Sequence, residues 1–186
     1  MATKSLQQIY QIKVTLNGSK PPIWRRLLVP SSITLSKLHD VLQIAMGWTD
    51  SHLHQFVAGG RFYGQPDPDF DFDVINEKSV RLDRLLKKEK DSITYEYDFG
   101  DGWEHKIQLE KALPFDPNLT LPTCIKGKRA CPPEDVGGIW GYQEFLQAIH
   151  DPSHPEHEEY LEWLGEKFDP EYFKVDEVNE LLAKYL

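Results

Sequence analysis

The residues best equipped for chemistry fall in one eleven-residue run, Tyr95-Glu-Tyr-Asp-Phe-Gly-Asp-Gly-Trp-Glu-His105. Asp98, Asp101, Glu104 and His105 are groups that hold a divalent cation or move protons. Crowded carboxylates repel one another; a cation relieves the repulsion, and without one a member of the set is pushed to a higher pKa. The same residues also suit a turn. Asp101-Gly102 is hairpin chemistry, and Asp98 can accept from loop amides. In an alternating strand Glu104 points away from Trp103 and His105, so the four groups need not converge.

A second set is His52, His54, His105, Cys124 and Cys131. His52 and His54 are two apart, the period that puts both on one strand face, as metal ligands on a strand would be. With the two thiols they compose a Cys₂His₂ set for zinc or manganese. Six residues separate the cysteines, however, more than a zinc knuckle uses. The bland alternative is a buried cysteine and histidines hydrogen-bonded at a loop edge.

Two further groups bear on binding. Lys20, Arg25, Arg26, Lys126, Lys128 and Arg129, interleaved with Trp24 and Trp48, could hold phosphates and stack bases. Arg25 and Arg26 alternate in direction, so at most one joins a given patch, and an arginine could instead pair with Asp98, Asp101 or Glu134. Residues 129–142, which include Arg129, Cys131, Glu134, Asp135 and the pair Gly137-Gly138, read as a rigid loop before a helix. Its spacing is neither a P-loop nor a dinucleotide fingerprint; it is expected to pack over the hairpin as a lid or brace. The acidic stretch 64–73 fails as an EF-hand: a start at Asp69 puts Val74 where glycine is required and Val80 where the bidentate glutamate belongs. It reads as a solvated loop.

The elements that must position these groups follow from patterning. Residues 8–17 and 23–29 read as two antiparallel strands. Thr34 caps a helix to Met46, with Leu35, Leu38 and Leu42 on one face and Gly47 as its stop. Residues 52–63 form a hairpin about Gly59-Gly60, 79–86 a short helix, and 93–111 the hairpin of the acidic turn. Residues 114–122 are irregular. Helices are expected at 142–150, 155–164 and 176–185, the last capped by Asp176. Strands come early and helices late, which predicts one α+β domain over residues 1–186: an antiparallel β-rich N-terminal part with a core helix, followed by a helical C-terminal part.

Composition fits that picture. The chain has 186 residues, 40% hydrophobic and 27% charged, and no apolar run of membrane-spanning length or signal-peptide core. A cytoplasmic protein with free thiols is expected. The net charge of −9 repels nucleic acid at long range, but the first 66 residues carry seven Lys or Arg against two Asp. A local basic patch therefore remains open.

Several motifs occur together in order: Pro22-Ile-Trp-Arg-Arg26, Leu38-His-Asp-Val-Leu-Gln-Ile-Ala-Met-Gly-Trp48, His52-Leu-His-Gln-Phe56, Tyr97-Asp-Phe-Gly-Asp-Gly-Trp-Glu-His105, and Arg129-Ala-Cys-Pro-Pro-Glu-Asp-Val-Gly-Gly138 with Gly141-Tyr142. Over residues 8–185 the chain resembles the plasmid ORF-three-like family, after an open reading frame of a root-inducing plasmid. Some members are described as passenger proteins of insertion elements. The resemblance implies an α+β domain, a link to mobile genetic elements and no particular activity. Many relatives carry cysteine where this chain has Val136, which argues against a shared cysteine cluster here. No serine-recombinase pattern or helix-turn-helix is present.

The residues support a non-catalytic binding or accessory module whose aromatic and charged cleft takes a peptide, nucleic acid or small ligand. The site would draw on Trp24, Arg25, Trp48, Asp98, Asp101, Trp103, Glu104, His105, Arg129, Glu134 and Asp135. The alternative is a metal-dependent hydrolase built on the 98–105 carboxylates and a histidine. No nucleophile–base pair favours the second.

Overall fold

The computed structural model describes residues 8–66, 73–165 and 167–186. Among the described residues, eight strands form one sheet: β1 (Gln8–Leu16), β2 (Trp24–Pro30), β3 (His54–Ala58), β4 (Arg61–Gly64), β5 (Val74–Asn76), β6 (Ser92–Tyr97), β7 (Trp103–Pro114) and β8 (Thr123–Lys128). Their order across the sheet is β5-β4-β3-β6-β7-β1-β2-β8, antiparallel except for the β4–β5 pair. Five α-helices among the described residues accompany it: α1 (Leu35–Met46), α2 (Leu82–Leu85), α3 (Gly138–His150), α4 (His157–Leu164) and α5 (Val175–Tyr185). No described helix is long and apolar enough to cross a membrane.

The strands alternate between a buried and an accessible face. Along β1, Ile12, Val14 and Leu16 are buried while Lys13 and Thr15 between them are accessible; along β7, Trp103, His105, Ile107 and Leu109 are buried while Glu104 and Lys106 are exposed. The buried set meets Leu35, Leu38, Leu42 and Met46 of α1, together with Tyr142 and Phe145 of α3 and Val178 and Leu182 of α5, in one core. Two-residue periodicity on the strands thus faces 3.6-residue periodicity on the helices.

α1 has the expected boundaries. Thr34 Oγ1 accepts from the Lys37 amide, and Gly47 ends the helix in the left-handed conformation with its N–H on the Gln43 carbonyl. Other boundaries move for identifiable reasons. The helix expected over 79–86 is a 3₁₀ turn at Glu77–Ser79 followed by the single turn α2. Between them the chain stays extended, because Leu35 N–H donates to the Val80 carbonyl and Leu82 N–H to the Ile33 carbonyl. α3 begins four residues earlier than its apolar pattern shows, and Asp176 lies in the first turn of α5 rather than capping it.

Two strands escape a reading of local pattern, β5 and β8. β8 contains Gly127, opposite Arg25 of β2. A Cβ there would come 2.5 Å from the Phe173 ring, so the glycine makes room for an aromatic and does not mark a turn. Of the acidic stretch 64–73, residues 67–72 lie outside the described residues.

Candidate functional site

The acidic hairpin loop spans 98–102, since Tyr97 pairs with Trp103. It is longer than a two-residue Asp-Gly turn. Gly102 N–H donates to the Asp98 carbonyl at 2.6 Å, and Asp98 Oδ1 accepts from the amides of Gly100 at 2.9 Å and Asp101 at 3.3 Å. Asp98 adopts a left-handed φ of 57°, which Asp tolerates because its side chain bonds locally. Its own N–H donates to the Leu53 carbonyl, anchoring the turn to the segment that carries His52. One carboxylate oxygen of Asp98 is therefore used for structure and Oδ2 is left over.

The 131–138 loop is strapped onto this turn from several sides. Trp48 Nε1–H donates to the Pro132 carbonyl at 3.1 Å. Glu134 accepts from the Thr49 hydroxyl and from the Tyr97 hydroxyl, each at 2.6 Å. Gly137 N–H donates to Asp101 Oδ2 at 3.1 Å. Burial alone would raise the Glu134 pKa, but the bonds from Thr49 and Tyr97 outweigh it and hold the carboxyl below its usual range. Burial, together with the Glu134 carboxylate, pushes the Tyr97 phenol well up.

Strapping the loop down brings Asp135 to His52. His52 Nε2 sits 3.1 Å from Asp135 Oδ1 and 3.7 Å from Asp98 Oδ2. It is close enough for an ion pair to the first, yet buried as an atom and aligned for a hydrogen bond to neither. One ligand atom from each of the three residues lies within 4.8 Å of the others. A ring nitrogen and two carboxylate oxygens converging on a shared point is the donor set of a small divalent cation.

The remaining expected residues divide clearly. Trp48, Trp103 and His105 pack together in the core, with Trp48 stacked on Tyr97, tilted against Trp103 and edge-on to His105. Trp103 and His105 are fully buried, so they do not line an open cleft as expected. Burial pushes the His105 imidazole down to about 4, and its Nδ1 faces the Tyr95 carbonyl. Glu104 points out of the other face, opposite Glu96.

The proposed Cys–His set does not assemble. His54 turns away from His52 to Glu77, at 2.9 Å, and neither Cys124 nor Cys131 belongs to a described cluster of metal-ligating atoms. Cys124 is buried on β8 beside Asn179, and burial raises the pKa of both thiols. Nor do Trp24 and Trp48 share a surface, since Trp24 lies on the outer face of the sheet and Trp48 within the core. No arginine reaches Asp98, Asp101 or Glu134 among the described ion pairs. Arg25 donates to the carbonyls of Ala45, Trp24 and Lys128 under the Phe173 ring, Arg26 pairs with Glu110, and Arg129 with Glu171.

One polar cluster was not anticipated. The His39 ring stacks on His54 with centroids 3.5 Å apart. Asp50 N–H donates to Gln43 Oε1, so Gln43 Nε2 must donate to the Tyr95 hydroxyl. The Tyr95 proton then goes to His39 Nδ1, leaving His39 neutral with Nε2–H on Asp50. Burial and the neighbouring His54 lower the His39 pKa, in agreement. The available signal was His39 itself, a polar residue in register with Leu35, Leu42 and Met46 on the buried face of α1.

The family profile described as plasmid pRiA4b ORF-3-like protein matches residues 8–177, a span that includes His52, Asp98, Asp135 and the loop that braces them. The chain belongs to the plasmid pRiA4b ORF-3-like family. A relative from Sinorhizobium fredii, the uncharacterized protein y4hQ, is 45% identical over 158 residues, covering 84% of this chain and 81% of its own length. The crystal structure of the protein of unknown function MM3350 from Methanosarcina mazei Go1 is similar with a TM-score of 0.84 and 38% identity, covering 94% of this chain and 98% of that one. The pRiA4b ORF-3-like fold is therefore shared closely with a solved protein, and neither name assigns an activity.

Proposed function

We propose that this protein is a non-catalytic binding module that anchors its ligand through a divalent cation held by His52, Asp98 and Asp135. The observation that supports the reading is His52 Nε2, a buried atom with no hydrogen-bond partner among the described residues, set against two carboxylate oxygens. A buried polar atom without a partner is costly unless something else satisfies it. Three protein ligands leave coordination positions open for a ligand's oxygen or nitrogen group.

The surroundings support binding over catalysis. Leu53, Phe99 and Trp140 are 73%, 50% and 82% exposed, and each lies within two residues of His52, Asp98, Asp101 or Gly138 along the chain. Exposed large apolar side chains close in sequence to a polar cluster support a role in interaction. The groups that could serve a hydrolase as base or acid are committed elsewhere: Glu134 to Thr49 and Tyr97, His105 to the core, Glu104 to the far face. A role beside mobile genetic elements draws its support from the plasmid origin in the family's name.

Metal analysis of protein purified without added metal and then exposed to manganese or zinc tests this. One ion per chain, lost in His52→Ala and without hydrolysis of phosphoester or peptide substrates, is the expected result. Metal-dependent turnover lost in the same variant would favour the hydrolase instead, and absence of stoichiometric metal would overturn both.

A further inference from the structure

Part of the outer face of the sheet has a composition at odds with the chain's net charge of −9, and it is bounded by Glu96 and Glu104, which lie on the same face one row beyond Thr94 and Lys106. Directly opposed residues on neighbouring antiparallel strands share a face, so the register assigns two rows. One runs Thr94, Lys106, Thr15, Trp24, Lys128 across β6, β7, β1, β2 and β8; the next runs Ser92, Gln108, Lys13, Arg26, Lys126. Five cations therefore surround one tryptophan. Lys106, Lys126 and Lys128 are exposed, and Lys13, Trp24 and Arg26 are partly so. Lys13 Nζ is 5.0 Å and Arg26 Cζ 5.2 Å from the Trp24 ring centroid. A depression of about 470 Å³ continues the face past Arg26, lined by Gln11, Lys90, Gln108, Glu110 and Lys111 among others. Glu110 is the one acid in that lining, and it is spent on Arg26, with Gln11 donating to it as well.

We propose that this face binds single-stranded nucleic acid, with Trp24 stacking a base and Lys13, Lys106, Lys126 and Lys128 contacting phosphates. Each half of the arrangement excludes an alternative. A face meant for polyanions in general needs the lysines but no aromatic platform. A duplex hides its base faces, so Trp24 would have nothing to stack on. Single strands offer both a charged backbone and open π-faces, and an aromatic among cations on an open sheet meets both. Thr15, Thr94 and Gln108 lie in the same rows and offer hydrogen-bonding groups to base edges without fixing a sequence.

Fluorescence anisotropy with a labelled oligothymidylate of about twelve nucleotides, within the range one such domain spans, tests this on the full chain. With four phosphate contacts, affinity should fall about fifty-fold between 50 and 200 mM salt. Lys126→Glu with Lys128→Glu, both at exposed positions, should weaken binding and flatten the salt dependence. Trp24→Leu should weaken it roughly five- to a hundred-fold while Trp24→Phe retains most of it. No binding at 50 mM salt would overturn the proposal. So would equal affinity for a duplex, or binding that responds to the lysines and not to Trp24, which would make the face a general polyanion surface. His52→Ala should leave this binding unchanged, which separates the two sites.

Discussion

Gly138 and Asp101 touch through their backbones: a Cβ built on Gly138 would stand 2.4 Å from the Asp101 carbonyl oxygen. The contact joins the last glycine of the proline-glycine loop to the centre of the acidic turn, 37 positions earlier, and Gly137 N–H on the Asp101 carboxylate reinforces it at 3.1 Å. With the bonds from Trp48, Thr49 and Tyr97, this approach holds Asp135 beside His52.

Gly138→Ala should therefore cost more than its left-handed φ of 68° explains. The conformational term alone is about 1–2 kcal/mol; the carbonyl clash adds to it, because a backbone atom cannot swing aside. Gly102→Ala is the control. Its φ is 66° but nothing lies within 4 Å of the added Cβ, so only the conformational term applies. Urea denaturation of both variants checks the ranking, and Gly138→Ala alone should also lose divalent-cation affinity. Equal destabilisation would mean that the loop and turn are not packed as described.

The brace on the other side is Tyr97 to Glu134. Each partner has a second bond, Ser51 N–H to the Tyr97 hydroxyl and the Thr49 groups to Glu134, so single removals cost more than the shared bond. Tyr97→Phe should destabilise by about 1.5–3 kcal/mol, as expected for a hydrogen bond to a charged group. A double-mutant cycle with Glu134→Gln should give a coupling of at least about 0.5 kcal/mol. Additive effects would show the two side chains acting independently.

Acidification should destabilise the fold through His105. Burial lowers its folded pKa from an ordinary 6.5 to about 4. Between those values the unfolded chain binds a proton that the folded chain does not. The contribution is thus complete above pH 6.5 and is lost as pH falls toward 4. At pH 5 the loss is about 2 kcal/mol, at roughly 1.4 kcal/mol per unit. Burial and His54 lower His39 too, which adds in the same direction. Denaturant titrations at pH 7.5 and pH 5 measure the difference. In His105→Gln, which has no imidazole to protonate, the pH dependence should shrink by about that amount; an unchanged dependence would contradict the assignment.

Local signals carried much of this architecture and little of the site. α1 could be read from Thr34 to Gly47 because its cap, its stripe and its stop all lie within fourteen residues. The hairpins announced themselves through alternation and glycine. β8 could not, because its Gly127 reads locally as a turn but makes room for Phe173, a contact between parts of the chain 46 residues apart. The early start of α3 has a similar cause, since Gly138 there also serves the distant Asp101. At the site, Asp98, Asp101, Glu134 and Asp135 stood out by residue type, and the loop was expected over the hairpin. Which histidine would join them was not legible. His105 looked closest in sequence, yet strand alternation sends it into the core, while His52 reaches the two aspartates because the Asp98 amide holds the Leu53 carbonyl.

The most direct measurement is calorimetric titration of manganese or zinc into metal-stripped protein and into Asp98→Asn with Asp135→Asn. Asparagine keeps the turn acceptor and the left-handed backbone that both positions adopt, so the variant loses charge without losing the turn. The parent should bind one ion per chain, with binding abolished in the variant, and its thermal stability should rise by about 2.7 kcal/mol at a hundredfold excess over Kd. Binding of equal strength in both proteins, or none in either, would contradict the proposed cation site.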